Sequence, residues 1–128
     1  MASILKVNTI QDSSGNNGIG VDDISYGRSK AWIRFENDGT INNDFNVNSV
    51  TDNGTGDYTV NFTDPMPNSD YCFDGTGGDG YGSGGSATSI APYGTTSRTT
   101  TTCRFYSKQT TNGAKDLASV LVVWWGDW

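Results

Sequence analysis

FNVNSVTDNGTGDYTVNF, residues 45–62, decides the fold class. Two runs of alternating apolar and polar residues flank Asp52-Asn53-Gly54-Thr55-Gly56, a segment of residue types that tolerate the positive φ values of tight turns. A two-residue period is that of a half-buried strand, so the stretch predicts an antiparallel β-hairpin. Phe45 and Val47 fall on one face of its first strand, and Tyr58, Val60 and Phe62 on one face of its second. Those five side chains are the expected heart of the core, because apolar pairs across two strands bury one another.

Working outward, residues 30–35 alternate Trp32 and Arg34 against Ala31, Ile33 and Phe35, and Asn37-Asp38-Gly39 offers a turn into a short return strand at Thr40-Ile41. Pro65-Met66-Pro67 interrupts the ladder, since proline has no backbone donor, and Tyr71-Cys72-Phe73 restarts it. The Thr-rich residues 97–105 read as a strand and residues 110–115 as a turn. Residues 118–125 form the most apolar strand, with Val120, Val122 and Trp124 on one face and Leu121, Val123 and Trp125 on the other. Such a strand belongs at the centre of a sheet, or between the core and a neighbouring subunit. Residues 74–97, rich in Gly, Ser and Thr, read as a surface loop region. Residues 1–28 are polar and punctuated, with β-like patches only at 4–10 and 19–24, and read as an arm. Sixteen Thr, twelve Asn and seventeen Gly against a single Glu disfavour helix throughout. The expected fold is all-β: one antiparallel β-sandwich or jelly-roll-like domain over residues 29–128, preceded by an extended N-terminal arm.

Composition adds an expectation about assembly. Leu, Ile, Val and Phe make up 23 of 128 residues, under the roughly one-fifth found in ordinary globular chains. Fifteen aromatic residues and a net charge of −6 nevertheless argue for folding over disorder. A thin core in a small domain predicts that further apolar surface is buried between copies of the chain. Eight basic residues scattered among fourteen acidic ones leave no footprint for nucleic acid. The opening MASILKVNTIQD lacks the features of a secretory signal and no run approaches 18 apolar residues, so neither export by that route nor membrane insertion is expected.

Chemistry-bearing motifs are weak. The chain has no histidine, which removes the usual general base, triad member and metal ligand, and no catalytic residue is expected. Asp22-Asp23 reads as solvated surface. Gly75-Thr76-Gly77-Gly78-Asp79-Gly80 matches a dinucleotide fingerprint in letters only, with no helix to follow, so no cofactor is expected. Asp52, Asp57, Asp74 and Asp79 have oxygen ligands to offer calcium but lack any EF-hand spacing, and no metal is expected. Asn53-Gly54-Thr55 and Asn61-Phe62-Thr63 are glycosylation sequons in form alone. Cys72 and Cys103 read as small buried hydrophobes, with a cross-strand disulfide as the alternative. Tyr81 and Tyr93 sit in polar loop sequence where aromatic anchors of binding surfaces recur, and with Trp128 they are the candidate receptor or partner contacts. Trp124 and Trp125 are either core or a contact between subunits. Ile4, Leu5, Val7 and Ile10 are the candidate anchor of the arm on a larger particle.

The opening ILKVNTIQDSSGNNGI, the segment AWIRFENDGTINNDFNVNSVTDNGTGDYTVNFTDPMPNSDY and the closing SVLVVWW before Gly126-Asp127 resemble tail-fibre-like proteins of marine bacteriophages, cyanophages among them. The likeness covers most of the chain at both ends and leaves residues 74–100 without a counterpart. It implies a non-enzymatic virion protein assembled in the host cytoplasm, β-rich and homotrimeric, with loops facing outward. Its implied partners are itself, other phage structural proteins and a glycan or protein of the host surface. No internal repeat builds a shaft, so a short tail appendage and a capsid decoration protein are both expected forms, with a carbohydrate-binding module as a third reading.

Overall fold

The computed structural model describes residues 3–16, 18–21, 24, 27–78, 88–109 and 113–126. Every strand pairing among them is antiparallel, and the chain is all-β. β1 (Thr9–Ile10) and β2 (Ile19–Gly20) form a two-stranded ladder of their own. β3 (Ala31–Phe35), β4 (Ile41–Phe45), β7 (Cys72–Gly78) and β11 (Ser119–Trp125) make a four-stranded sheet in the order β4-β3-β11-β7. In the third sheet β5 (Val47–Gly54) pairs with β6 (Asp57–Phe62), β6 with β9 (Thr102–Gln109), and β9 also with β8 (Thr88–Pro92) and β10 (Gly113–Ala114).

Alternation places one face of each larger sheet against a shared core. Ala31, Ile33, Phe35, Val120, Val122 and Trp124 enter it from the four-stranded sheet, and Val47, Tyr58, Val60, Phe62, Cys103 and Phe105 from the five-stranded one. Phe62 meets Trp124 edge to face at 5.4 Å, and Phe35 meets Tyr58 at 5.0 Å. Such ring pairs add about 0.5–1.5 kcal/mol each beyond the area they bury. Aromatic contacts therefore supply what the sparse aliphatic content does not.

The predicted hairpin is present as β5 and β6, with Val47 opposite Phe62 and Val50 opposite Val60. Phe45, however, is not in the core. It is 44% exposed and ends β4, in the other sheet. Asn46 causes the change: its φ of 58° breaks the extended run, which asparagine tolerates better than other non-glycine residues. Its side chain then fixes the corner. Nδ2 donates to the carbonyls of Lys30 and Asp64, each at 3.1 Å, and Oδ1 accepts from the Asp64 amide at 2.7 Å.

Two further expectations are corrected. The region 74–97 is not simply loop: its start lies in β7, whose Gly75 and Gly77 pair with β11, and residues 88–92 form β8. Glycine is needed in β7 because a Cβ at Gly75 would stand 2.5 Å from the Leu121 carbonyl, and one at Gly77 2.6 Å from the Leu117 side chain. The first half of 97–105 is a turn instead of a strand. There the Thr99 hydroxyl accepts from the Thr102 amide at 2.9 Å, and the Tyr71 hydroxyl donates to the carbonyls of Thr99 and Thr102. β11 does occupy the centre of its sheet, between β3 and β7.

Tyr58 and Tyr71 give the fold an alkaline limit. Burial, reinforced for Tyr58 by the Asp116 carboxylate that accepts its hydroxyl at 3.1 Å, holds both phenols above their ordinary value near 10. A phenol whose pKa is raised by folding stabilises the native state fully below the unfolded value and loses that contribution as pH climbs past it. The urea midpoint is therefore expected to hold steady from neutrality to about pH 9 and to fall above about pH 10. A midpoint unchanged well above that would mean that both hydroxyls ionise in place.

Candidate interaction surfaces

Strand register writes out the face of the four-stranded sheet turned away from the core. One row across it reads Asp74, Val123, Trp32, Phe45, and the next reads Thr76, Leu121, Arg34, Asn43. Trp125 stands beside Val123 on the same strand face, opposite Cys72. Leu121 is 43% exposed, while Trp32, Val123 and Trp125 are half-buried. Trp32, Leu121 and Val123 line a shallow depression of about 550 Å³ edged by Arg34, Asn43, Asp74 and Thr76. An apolar centre with a polar edge is the usual anatomy of a protein–protein contact.

The outward face of the five-stranded sheet has the opposite character. Ser49 and Thr51 of β5 face Asn61 and Thr59 of β6, and the Asn61 amide donates to the Ser49 hydroxyl at 3.1 Å. From β9, Arg104 reaches Asp57 through Nε at 2.9 Å and Nη2 at 2.7 Å, a bidentate pair that ties β9 to β6. Those bonds hold the guanidinium proton more tightly still than usual. The guanidinium carbon lies 3.7 Å over the Tyr93 ring, and Tyr93 stacks on Tyr106 at 4.5 Å. The Lys108 ammonium sits 5.2 Å from the far ring. The result is a column of cation, ring, ring and cation. A depression of about 500 Å³ adjoins it, lined by Tyr93, Arg104, Thr59, Thr96, Ser97 and Thr102 among others.

Of the candidate contacts read from sequence, Tyr93 is 40% exposed and sits in this column, while Tyr81 and Trp128 lie outside the described residues. Trp124 is a correction. It is fully buried, packed on Phe62, Phe73 and Phe105, so it is a core residue and offers a neighbouring subunit no surface. Trp125 does lie on the outward apolar face. Ile4, Leu5, Val7 and Ile10 are exposed, Leu5 most at 82%. Cys72 is exposed and Cys103 buried, and both are free thiols, so the disulfide alternative falls. Cys72 departs from the expected burial because it takes the outward side of an edge strand. Asp57 is taken by Arg104, and Asp52 and Asp74 accept the amides of Gly54 and Gly75. Asp22, Asp23 and Asp79 lie outside the described residues. Among those residues, no three His, Cys, Asp or Glu side chains converge, and no helix is long and apolar enough to cross a membrane.

Arg104 and Tyr106 escaped the sequence reading, and Asp57 entered it only as a possible calcium ligand. The alternation of Cys103-Arg104-Phe105-Tyr106 does set Arg104 and Tyr106 on one face. Their partner Asp57 lies 47 residues away, and only strand register joins them. No family model, no curated protein and no solved structure matches the chain.

Proposed function

We propose that this chain is a non-enzymatic structural component of a bacteriophage particle: a short tail-fibre-like β-sandwich that self-associates and attaches through its N-terminal arm. The observation that carries the reading is the outward face of β11, where Leu121, Val123 and Trp125 continue onto Trp32 and Phe45 of β3 and β4. An apolar stripe across a central strand is costly to leave in water, and a second copy covers it. The exposed Ile4, Leu5, Val7 and Ile10 support a second contact, with the particle. The sequence resemblance supports three copies in the assembly.

Sedimentation tests this. The chain is expected to run as a trimer, and Leu121→Asp with Val123→Asp to run as a monomer that still melts cooperatively, since both side chains point away from the core. Deletion of residues 1–27 is expected to leave the trimer intact and to abolish co-purification with particles. A monomeric parent chain at micromolar concentration would sink the assembly reading.

A further inference from the structure

We propose that the outward face of the five-stranded sheet, centred on Arg104 and Tyr93, binds a neutral glycan. The inference rests on the assembly reading only for orientation, because the polar sheet is the one left outward when the apolar sheet is covered.

The chemistry of the site selects the ligand. Its depression of about 500 Å³ lies within the usual range for small-molecule sites and suits a short stretch of sugar rings. The lining is rich in hydroxyls: those of Thr95 and Thr96 stand at exposed positions, while those of Thr59, Ser97 and Thr102 already bond to Asn53, the Gly94 carbonyl and Thr99 and keep lone pairs that accept from sugar hydroxyls. Arg104 adds a donor in a fixed place, since Asp57 engages Nε and Nη2 and leaves Nη1 outside that pair. The site is organised before a ligand arrives: the bidentate pair fixes the guanidinium, and Tyr93 is held between it and Tyr106. Groups at 3.7 Å and 4.5 Å from one ring occupy its two faces, so Tyr93 has no open stacking platform and meets a ligand only at its edge, where its hydroxyl also bonds to that of Tyr106. Recognition is then by hydrogen bonds.

Charge argues against an anionic ligand. The Arg104 charge is matched by Asp57 within the site, and the chain as a whole carries −6, which repels sulfated or phosphorylated polymers. A hydroxyl-rich neutral chain meets neither penalty.

The test is saturation-transfer NMR on the full chain with maltotriose, mannotriose and galactotriose, and with heparin tetrasaccharide and inorganic phosphate as anionic probes. At least one neutral trisaccharide is expected to bind with millimolar affinity. Tyr93→Phe and Thr96→Val, both changes at exposed positions, should each weaken it by about five- to ten-fold without moving the melting temperature. Arg104→Gln strands the largely buried Asp57, so it is made as Arg104→Gln with Asp57→Asn, which should abolish binding while the protein stays folded. No binding by any neutral probe, preference for heparin or phosphate, or binding indifferent to all three variants would overturn the proposal. None of those results touches the assembly reading, which sedimentation decides.

Discussion

Replacing Trp124 with alanine is expected to cost the fold about 3–5 kcal/mol, enough to leave so small a domain largely unfolded. The indole is wholly buried and its ring packs against Phe62, Phe73 and Phe105, so truncation opens a cavity lined from both larger sheets. Among the described residues its indole N–H has no hydrogen-bond partner, which burial makes unfavourable. Trp124→Phe removes that group with less volume and should cost much less than the alanine change. Trp125→Ala supplies the contrast: its side chain faces outward, so monomer stability should change by under about 1 kcal/mol while association weakens. Urea melts read the first effect and sedimentation the second. A Trp124→Ala protein as stable as its parent would return that residue to the subunit surface.

The second large effect is expected from a single methyl group. Gly56→Ala should destabilise by about 3 kcal/mol or more, because two penalties coincide. Gly56 has φ +65°, and an added Cβ would lie 2.5 Å from the Ser107 carbonyl oxygen and 2.6 Å from the Lys115 amide nitrogen. Both are backbone atoms with little room to move. The Gly56 carbonyl accepts from the Ser107 amide at 2.7 Å, and its own amide donates to Asp116 at 2.6 Å. The hairpin tip is thus clamped on β9 and on the segment before β11. Gly54, two residues earlier with φ +127°, has nothing within 4 Å of its would-be Cβ, so Gly54→Ala meets backbone strain alone, about 1–2 kcal/mol. Equal urea midpoints for the two variants would mean that the clamp does not hold in solution.

These glycines mark how far a linear reading goes. Gly54 and Gly56 look alike in DNGTG, and turn chemistry explains both. Which one touches a distant backbone depends on β9 and Lys115, half a chain away. The same division runs through the candidate surfaces. Alternation in SVLVVWW announced a strand apolar on both faces, and β11 is central with one face in the core. It did not say which tryptophan takes which side, because nothing in that stretch marks the core face.

Sequence by itself therefore determined the all-β class, the β5–β6 hairpin, the core roles of Val47, Tyr58, Val60 and Phe62, and the two-sided character of β11. These depend on period-2 alternation and turn residues, which act over a few neighbours and are written in order along the chain. Tertiary structure alone decided that Asn46 turns the chain from one sheet into the other and carries Phe45 to the outside. It alone brought Asp57 to Arg104 and Tyr93 to Tyr106, and joined Phe45, Trp32 and Val123 into one apolar row. Those outcomes rest on strand order and register, fixed by hydrogen bonds between segments tens of residues apart, and a one-residue slip would turn each of these side chains to the opposite face.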